Sequence, residues 1–191
     1  MKKYELTEET VTVYGKTLYR IRAVRDFGSV KTGEFGGYIE KEENLSHFDN
    51  AWVCGDAWVF GNARVYDDAW VFGNARVYDD AWVFGNARVC GDAKVYGNAR
   101  VYDDAWVSGN AEVFNTRHFF VQGPIGSRNG FITFYRTKDN TVEVRCGCFS
   151  GSLQKFVDRV EETHGGSRYE KEYKIAAELA KVCIRLEGES R

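Results

Sequence analysis

The sequence has one proline and almost no net charge, with 26 basic against 28 acidic residues leaving −2 at neutral pH. So even a balance supplies neither a basic field for nucleic acid nor an acidic tail. No stretch approaches eighteen apolar residues, and the two N-terminal lysines have no apolar segment behind them. Neither a membrane span nor a secretory leader is therefore expected. Five cysteines, an odd number without small-scaffold spacing, argue against a disulfide framework and fit a reducing compartment. A protein of the cytoplasm follows, with no nucleic-acid, membrane or cofactor partner expected. Against its single proline the chain has 20 glycines, so glycine makes the turns.

What the sequence has in excess is one repeat. Valine recurs every six residues from Val53 to Val113, and alanine from Ala51 to Ala111. Asn or Asp precedes each of those alanines, from Asn50 to Asn110, through eleven consecutive hexads. In a strand written Ala-x-Val-x, Ala and Val share one face and the x residues the other. The Gly-Asn, Gly-Asp and Asp-Asp pairs between them suit tight corners with positive φ. Short strands with small inward residues and tight corners predict a narrow β-solenoid.

The wording, as in DAWVFGNARVYDDAWVFGNARVYDD, repeats every twelve residues rather than six. With two hexads per coil, Arg64, Arg76, Arg88 and Arg100 would form one column of like charges about 4.8 Å apart. With three hexads, Arg64 lies beside Trp82 and Trp82 beside Arg100, and Trp70 and Trp106 flank Arg88. Aspartates then alternate with asparagines, as in Asn50, Asp68, Asn86 and Asp104. Cation–π contacts replace repulsion, so three hexads per coil are expected.

These hexads resemble the hexapeptide-repeat, left-handed parallel β-helix family. The resemblance covers 50–115 strictly and extends upstream through Gly37-Tyr38-Ile39 and Asn44-Leu45. It implies a left-handed coil and a trimer. The expected fold is mainly β: an N-terminal β cap over 1–35, a β-helix over 36–116 and a small α+β C-terminal domain over 117–191. In the cap, Val11–Tyr14 and Thr17–Val24 read as a hairpin turned at Gly15-Lys16. In the last domain, strands are predicted at 118–122, 131–136 and 141–148. Helices follow at Ser152–His164 and Arg168–Leu186, the first stopped by Gly165-Gly166. The phrases IGSRNG, CGCFSGSL and VEETHG, with TLYRIRAVRDFG near the start, are similar to modules of uncharacterised phage and prophage proteins. That resemblance implies a viral origin and a bacterial host cytoplasm.

Four sets of residues could carry function. Outward aromatics crowd the solenoid wall, and Trp58, Trp70, Trp82, Trp106, Phe72, Phe84, Tyr78 and Tyr102 are expected to form an oligomer interface. An aromatic platform for sugars or bases is the alternative. The loop Gly126-Ser127-Arg128-Asn129, with Arg136 and Arg145 on nearby strands, could bind a small anion through glycine N–H groups and guanidinium forks. The competing reading is a linker with a hairpin turn. Cys146, Cys148, His164 and Cys183 could make a zinc site, though their spacing fits buried thiols better. Cys54 and Cys90 fall in one column, too far apart for a disulfide.

Three functional classes remain. A non-catalytic oligomer could use the solenoid as a scaffold and the C-terminal domain as a recognition head, binding a host protein or sequestering a nucleotide-like anion. A hexapeptide-repeat acyltransferase would need a histidine base, yet none of the three lies within a coil. A self-assembling structural solenoid would need open ends, which two apparent caps oppose.

Overall fold

The computed structural model describes residues 2–187. Met1 of the expected cap and 188–191 of the expected head lie outside the described residues. The chain is mainly β, with a solenoid of about four turns and two C-terminal helices. Strands β1 (Tyr4–Val13), β2 (Lys16–Ala23) and β3 (Phe35–Ile39) come first. Eleven two-residue strands follow, β4 to β14, from Trp52–Val53 to Glu112–Val113. The head comprises β15 (Phe119–Ile125), β16 (Gly130–Arg136), β17 (Val142–Cys146), β18 (Phe149–Ser152), α1 (Leu153–His164) and α2 (Arg168–Cys183).

Each short strand pairs in parallel with one farther along, as Val53 with Val71, Val71 with Val89 and Val89 with Val107. Three parallel stacks result. Every hexad alanine and valine points into the space between them, and none is more than 1% exposed. Alternation along each strand puts the small residues inside, where they leave no room for a ligand.

The corners need left-handed backbone. Gly61 (φ 71°) and Asp79 (φ 57°) stack on each other, and a Cβ on Gly61 would come 3.0 Å from Asp79 N. The residue after each left-handed position makes a ladder. Asn50 donates to Asp68 (2.7 Å), Asn62 to Asp80 (3.0 Å), Asn74 to Asp92 (3.0 Å) and Asn86 to Asp104 (3.2 Å). Each bond spans 18 residues, so the twelve-residue text brings amide to carboxylate. Asn86→Asp would set three carboxylates in a row. It is expected to cost about 1 kcal/mol or less, seen as a lower thermal midpoint in dilute buffer that recovers in 1 M salt. An unchanged midpoint at low salt would remove the ladder's electrostatic role.

Both solenoid ends are covered. At the N-terminal end β1, β2 and β3 continue one of the stacks as a seven-stranded sheet. The hairpin turns at Tyr14-Gly15 (φ 50° and 76°), one residue earlier than expected, because both central positions are left-handed. Phe27 packs edge-on against Trp52 at 5.2 Å. Lys3 is buried, and its Nζ donates to the Ala51, Phe48 and Asp49 carbonyls. Burial pulls its pKa down to about 8.

At the other end the antiparallel sheet β15–β16–β17–β18 lies across the last coil. Thr133 and Tyr135 of β16 face the solenoid. Thr133 Oγ1 accepts from Trp106 N–H (2.9 Å), and Tyr135 Oη lies 3.1 Å from Ser108 Oγ. Even-numbered Ile132 and Phe134 face α1 and α2 in a second core with Phe156, Val160 and Ala177. The strand expected over 141–148 ends at Cys146, because Gly147 (φ 56°) turns the chain there, and β18 begins only at Phe149. Ser152 and Ser167 cap the helices, accepting from Lys155 and Glu170 N–H. α2 ends at Cys183, short of Leu186, where Ile184 adopts extended backbone. No described helix is long and apolar enough to cross a membrane.

Candidate functional site

The head sheet and helices diverge at one end and leave a cavity of about 470 Å³. Three elements frame it: the β15–β16 tip (Ser127, Arg128), the Cys146-Gly147-Cys148 turn and the C-terminal half of α1. α1 contributes Phe156, Arg159, Val160, Thr163 and His164. Their i, i+3, i+4, i+7, i+8 spacing is one helical stripe, half of it sunk in the core and half turned to the opening. Tyr173 forms the floor, with its ring 5.8 Å from Phe156 and 5.6 Å from His164.

The lining carries two guanidiniums, Arg128 and Arg159, and no carboxylate. Arg128 makes no ion pair among the described residues, and Arg159 pairs only with exposed Glu162 (2.8 Å). An exposed pair of that kind contributes little and yields readily to a ligand. Burial pushes the Cys146 thiol pKa up, only partly offset by a hydrogen bond with Tyr173. A thiol held protonated is a poor nucleophile. The cavity thus sets two cationic forks over an apolar, aromatic floor.

The six residues expected to bind an anion separate here. Ser127 and Arg128 line the cavity. Gly126 is buried beneath them, and its N–H donates to Glu172 Oε2 (2.7 Å) rather than to a ligand. Asn129 (φ 47°) makes the turn, donating from its N–H to Gly126 O (3.2 Å). Arg136 and Arg145 belong to the junction with the solenoid. Arg136 is 3% exposed, pairs with Glu187 (2.9 Å) and Glu112 (3.6 Å), and lies over Phe114. Arg145 lies over the Trp106 ring at 3.9 Å. The reason is the strand period: Arg145 projects opposite to Cys146, toward the coil.

Cys146, Cys148 and His164 share the cavity lining, but Cys183 does not. No cluster of three or more ligands could hold a metal among the described residues. The other two histidines are structural. His47 stacks on Tyr4 at 4.2 Å. His118 is 4% exposed, with Nδ1 accepting from Phe114 N–H (3.3 Å) and Nε2 2.9 Å from Asn115 Nδ2.

The wall aromatics largely satisfy one another. Phe60, Tyr78, Tyr96 and Phe114 form one ring ladder, with centroids 4.9 to 5.2 Å apart. Tyr66, Phe84, Tyr102 and Phe119 form another. Arg76 covers Trp58, Arg64 and Arg100 cover Trp82, and Arg88 with Arg145 covers Trp106. Of the eight residues expected at an interface, only Tyr102, at 37%, is classed as exposed. Stacking within one chain shields part of each ring.

Residues 93–109 match the YdcK beta solenoid repeat. The matched stretch lies wholly within the short-strand region. No curated protein matches the chain.

Proposed function

We propose that this is a non-catalytic binding protein of phage or prophage origin, acting in the bacterial cytoplasm. Its head cavity sequesters a small nucleotide-like anion, and its solenoid is a rigid oligomerisation scaffold. The observation that carries the reading is the cavity with two guanidiniums and no lining carboxylate. Sequestration needs affinity and no reacting group. The raised Cys146 thiol pKa and the structural engagement of His47 and His118 agree with that. The eighteen-residue pairing register supports three hexads per coil. Left-handedness and a trimer are inferred from resemblance to hexapeptide-repeat proteins, and the phage origin from similar wording at both ends of the chain.

Native mass spectrometry of protein purified from bacterial cytoplasm is the direct test, reporting copy number and retained mass together. With adenosine monophosphate as probe, calorimetry should give saturable binding. The double variant Arg128→Ala, Arg159→Ala should weaken it roughly a hundredfold, as two lost charge-assisted contacts imply. Circular dichroism should be unchanged, since both side chains are exposed. Absence of any retained mass together with no binding of the probe would overturn the anion reading.

A second reading, capture of a host protein by the same head, is favoured by α2. Ile175, Leu179 and Val182 lie on one helical face and are 67%, 44% and 80% exposed. Acyl transfer and end-to-end assembly receive less support. The only histidine lining the head cavity is His164, and both solenoid ends are covered.

A further inference from the structure

The outer wall of the solenoid has one gap in its ladders. Two of its columns carry an aromatic ring after every valine, and those rings stack continuously. The third column reads Cys54, Phe72, Cys90 and Ser108. Phe72 therefore has small residues in the layers on either side and no ring contact among the described residues. Trp70, two residues before it on the same outward face, is also without a stacked ring or guanidinium among the described residues. Its register partner Arg88 leans the other way, onto Trp106 at 5.5 Å. Every other wall tryptophan is covered: Trp52 by Phe27, and Trp58, Trp82 and Trp106 by arginines.

A cavity of about 380 Å³ opens at this gap, lined by Ser29, Cys54, Trp70, Phe72 and Arg88. Ser29 comes from the tight Phe27–Val30 loop of the N-terminal cap, which overhangs the wall there. The floor is apolar and aromatic. The Arg88 guanidinium makes no hydrogen bond or ion pair among the described residues; its one ring contact there is with Trp106. Adjacent layers are about 4.8 Å apart, so a ring stacked on Trp70 can place a substituent against Arg88 one layer on.

We infer that this gap is a second binding site, for a flat aromatic ring bearing one anionic substituent. The ring completes the ladder at Trp70 and Phe72, and the anion engages the Arg88 fork. The site is independent of the head cavity, whose lining contains no tryptophan.

The test is a titration of ¹⁵N-labelled full-length protein with naphthalene-2-sulfonate, following the indole N–H resonances of its five tryptophans. Trp70→Phe assigns the relevant resonance. The expected result is a saturable shift of the Trp70 signal, with Trp52 and Trp82 unmoved. Arg88→Met should weaken binding about tenfold. 2-Naphthylmethylammonium should not bind. Cys54→Phe, which extends the ladder onto Phe72, should fold and abolish the shift. A Trp70 signal that stays still, or moves equally with the ammonium compound, overturns the site. So does undiminished binding in Arg88→Met. If sedimentation instead shows a dimer that Trp70→Phe dissociates, a second copy occupies the gap and the small-ligand assignment falls.

Discussion

Gly126→Ala is expected to destabilise the head by about 3 kcal/mol, the sum of a left-handed backbone cost and a core overpacking cost. The residue has φ 73°, and a Cβ there would come within 1.9 Å of Tyr173 Oη and 2.3 Å of its Cζ. Tyr173 cannot retreat easily, since it is 8% exposed and packs against Phe156 and His164. The methyl group must therefore push the cavity floor or tear Gly126 N–H from Glu172. Urea unfolding followed by helix ellipticity reads the effect, because α1 and α2 lie only in the head. Adding Tyr173→Leu should recover the steric part of the loss and leave the backbone part, which a double-mutant cycle separates. An unchanged midpoint in Gly126→Ala would mean the tip and Tyr173 do not meet as described.

Acid should weaken the junction between solenoid and head through His118. Burial, with the nearby Arg136 charge, holds its pKa down at about 4, against an ordinary value near 6.5. Between those values the unfolded chain takes up a proton that the folded chain refuses. Stability therefore falls as pH drops through that window and is flat above it. The linkage amounts to about 2 kcal/mol by pH 5. His118→Gln keeps an acceptor for Phe114 N–H and removes the titration. Its urea midpoint should then change much less between pH 7 and pH 5 than that of the parent. Equal pH dependence in the two proteins would move the effect elsewhere, with His47 the next group to examine because burial lowers its pKa too.

Much of the fold was legible because the solenoid is a local pattern repeated. The inward alanines and valines, the Arg64–Trp82–Arg100 neighbours and the alternating Asn and Asp columns all follow from spacing. Deviations came where one residue's conformation decides: Tyr14 shifts a turn, Gly147 ends a strand early, and Ile184 ends a helix early. The candidate site was half legible. Ser127 and Arg128 stood out as a polar tip after glycine, and Arg159 was readable in the α1 stripe once that stripe was extended past Phe156 and Val160. Arg136 was not readable, because its partners Glu112 and Glu187 lie far off in the chain. Nor was the fate of Gly126 N–H, since Glu172 is 46 residues away. The wall aromatics were legible as outward residues, but the stacking of rings eighteen residues apart on one another was not.

The mismatch between a twelve-residue text and an eighteen-residue register sets how this protein can change length. Removing one register length keeps every valine inward. It nevertheless brings positions thirty-six residues apart into contact, and within the twelve-residue text these are the same letter. Arginine would meet arginine at the join, and aspartate would meet aspartate. A twelve-residue excision keeps unlike side chains paired but turns one end of the solenoid relative to the other, whereas a thirty-six-residue change, the least common multiple of the two periods, preserves both. The solenoid is thus a ruler graduated more coarsely than its pairing register, so a length change of eighteen residues should need repaired lettering at the seam.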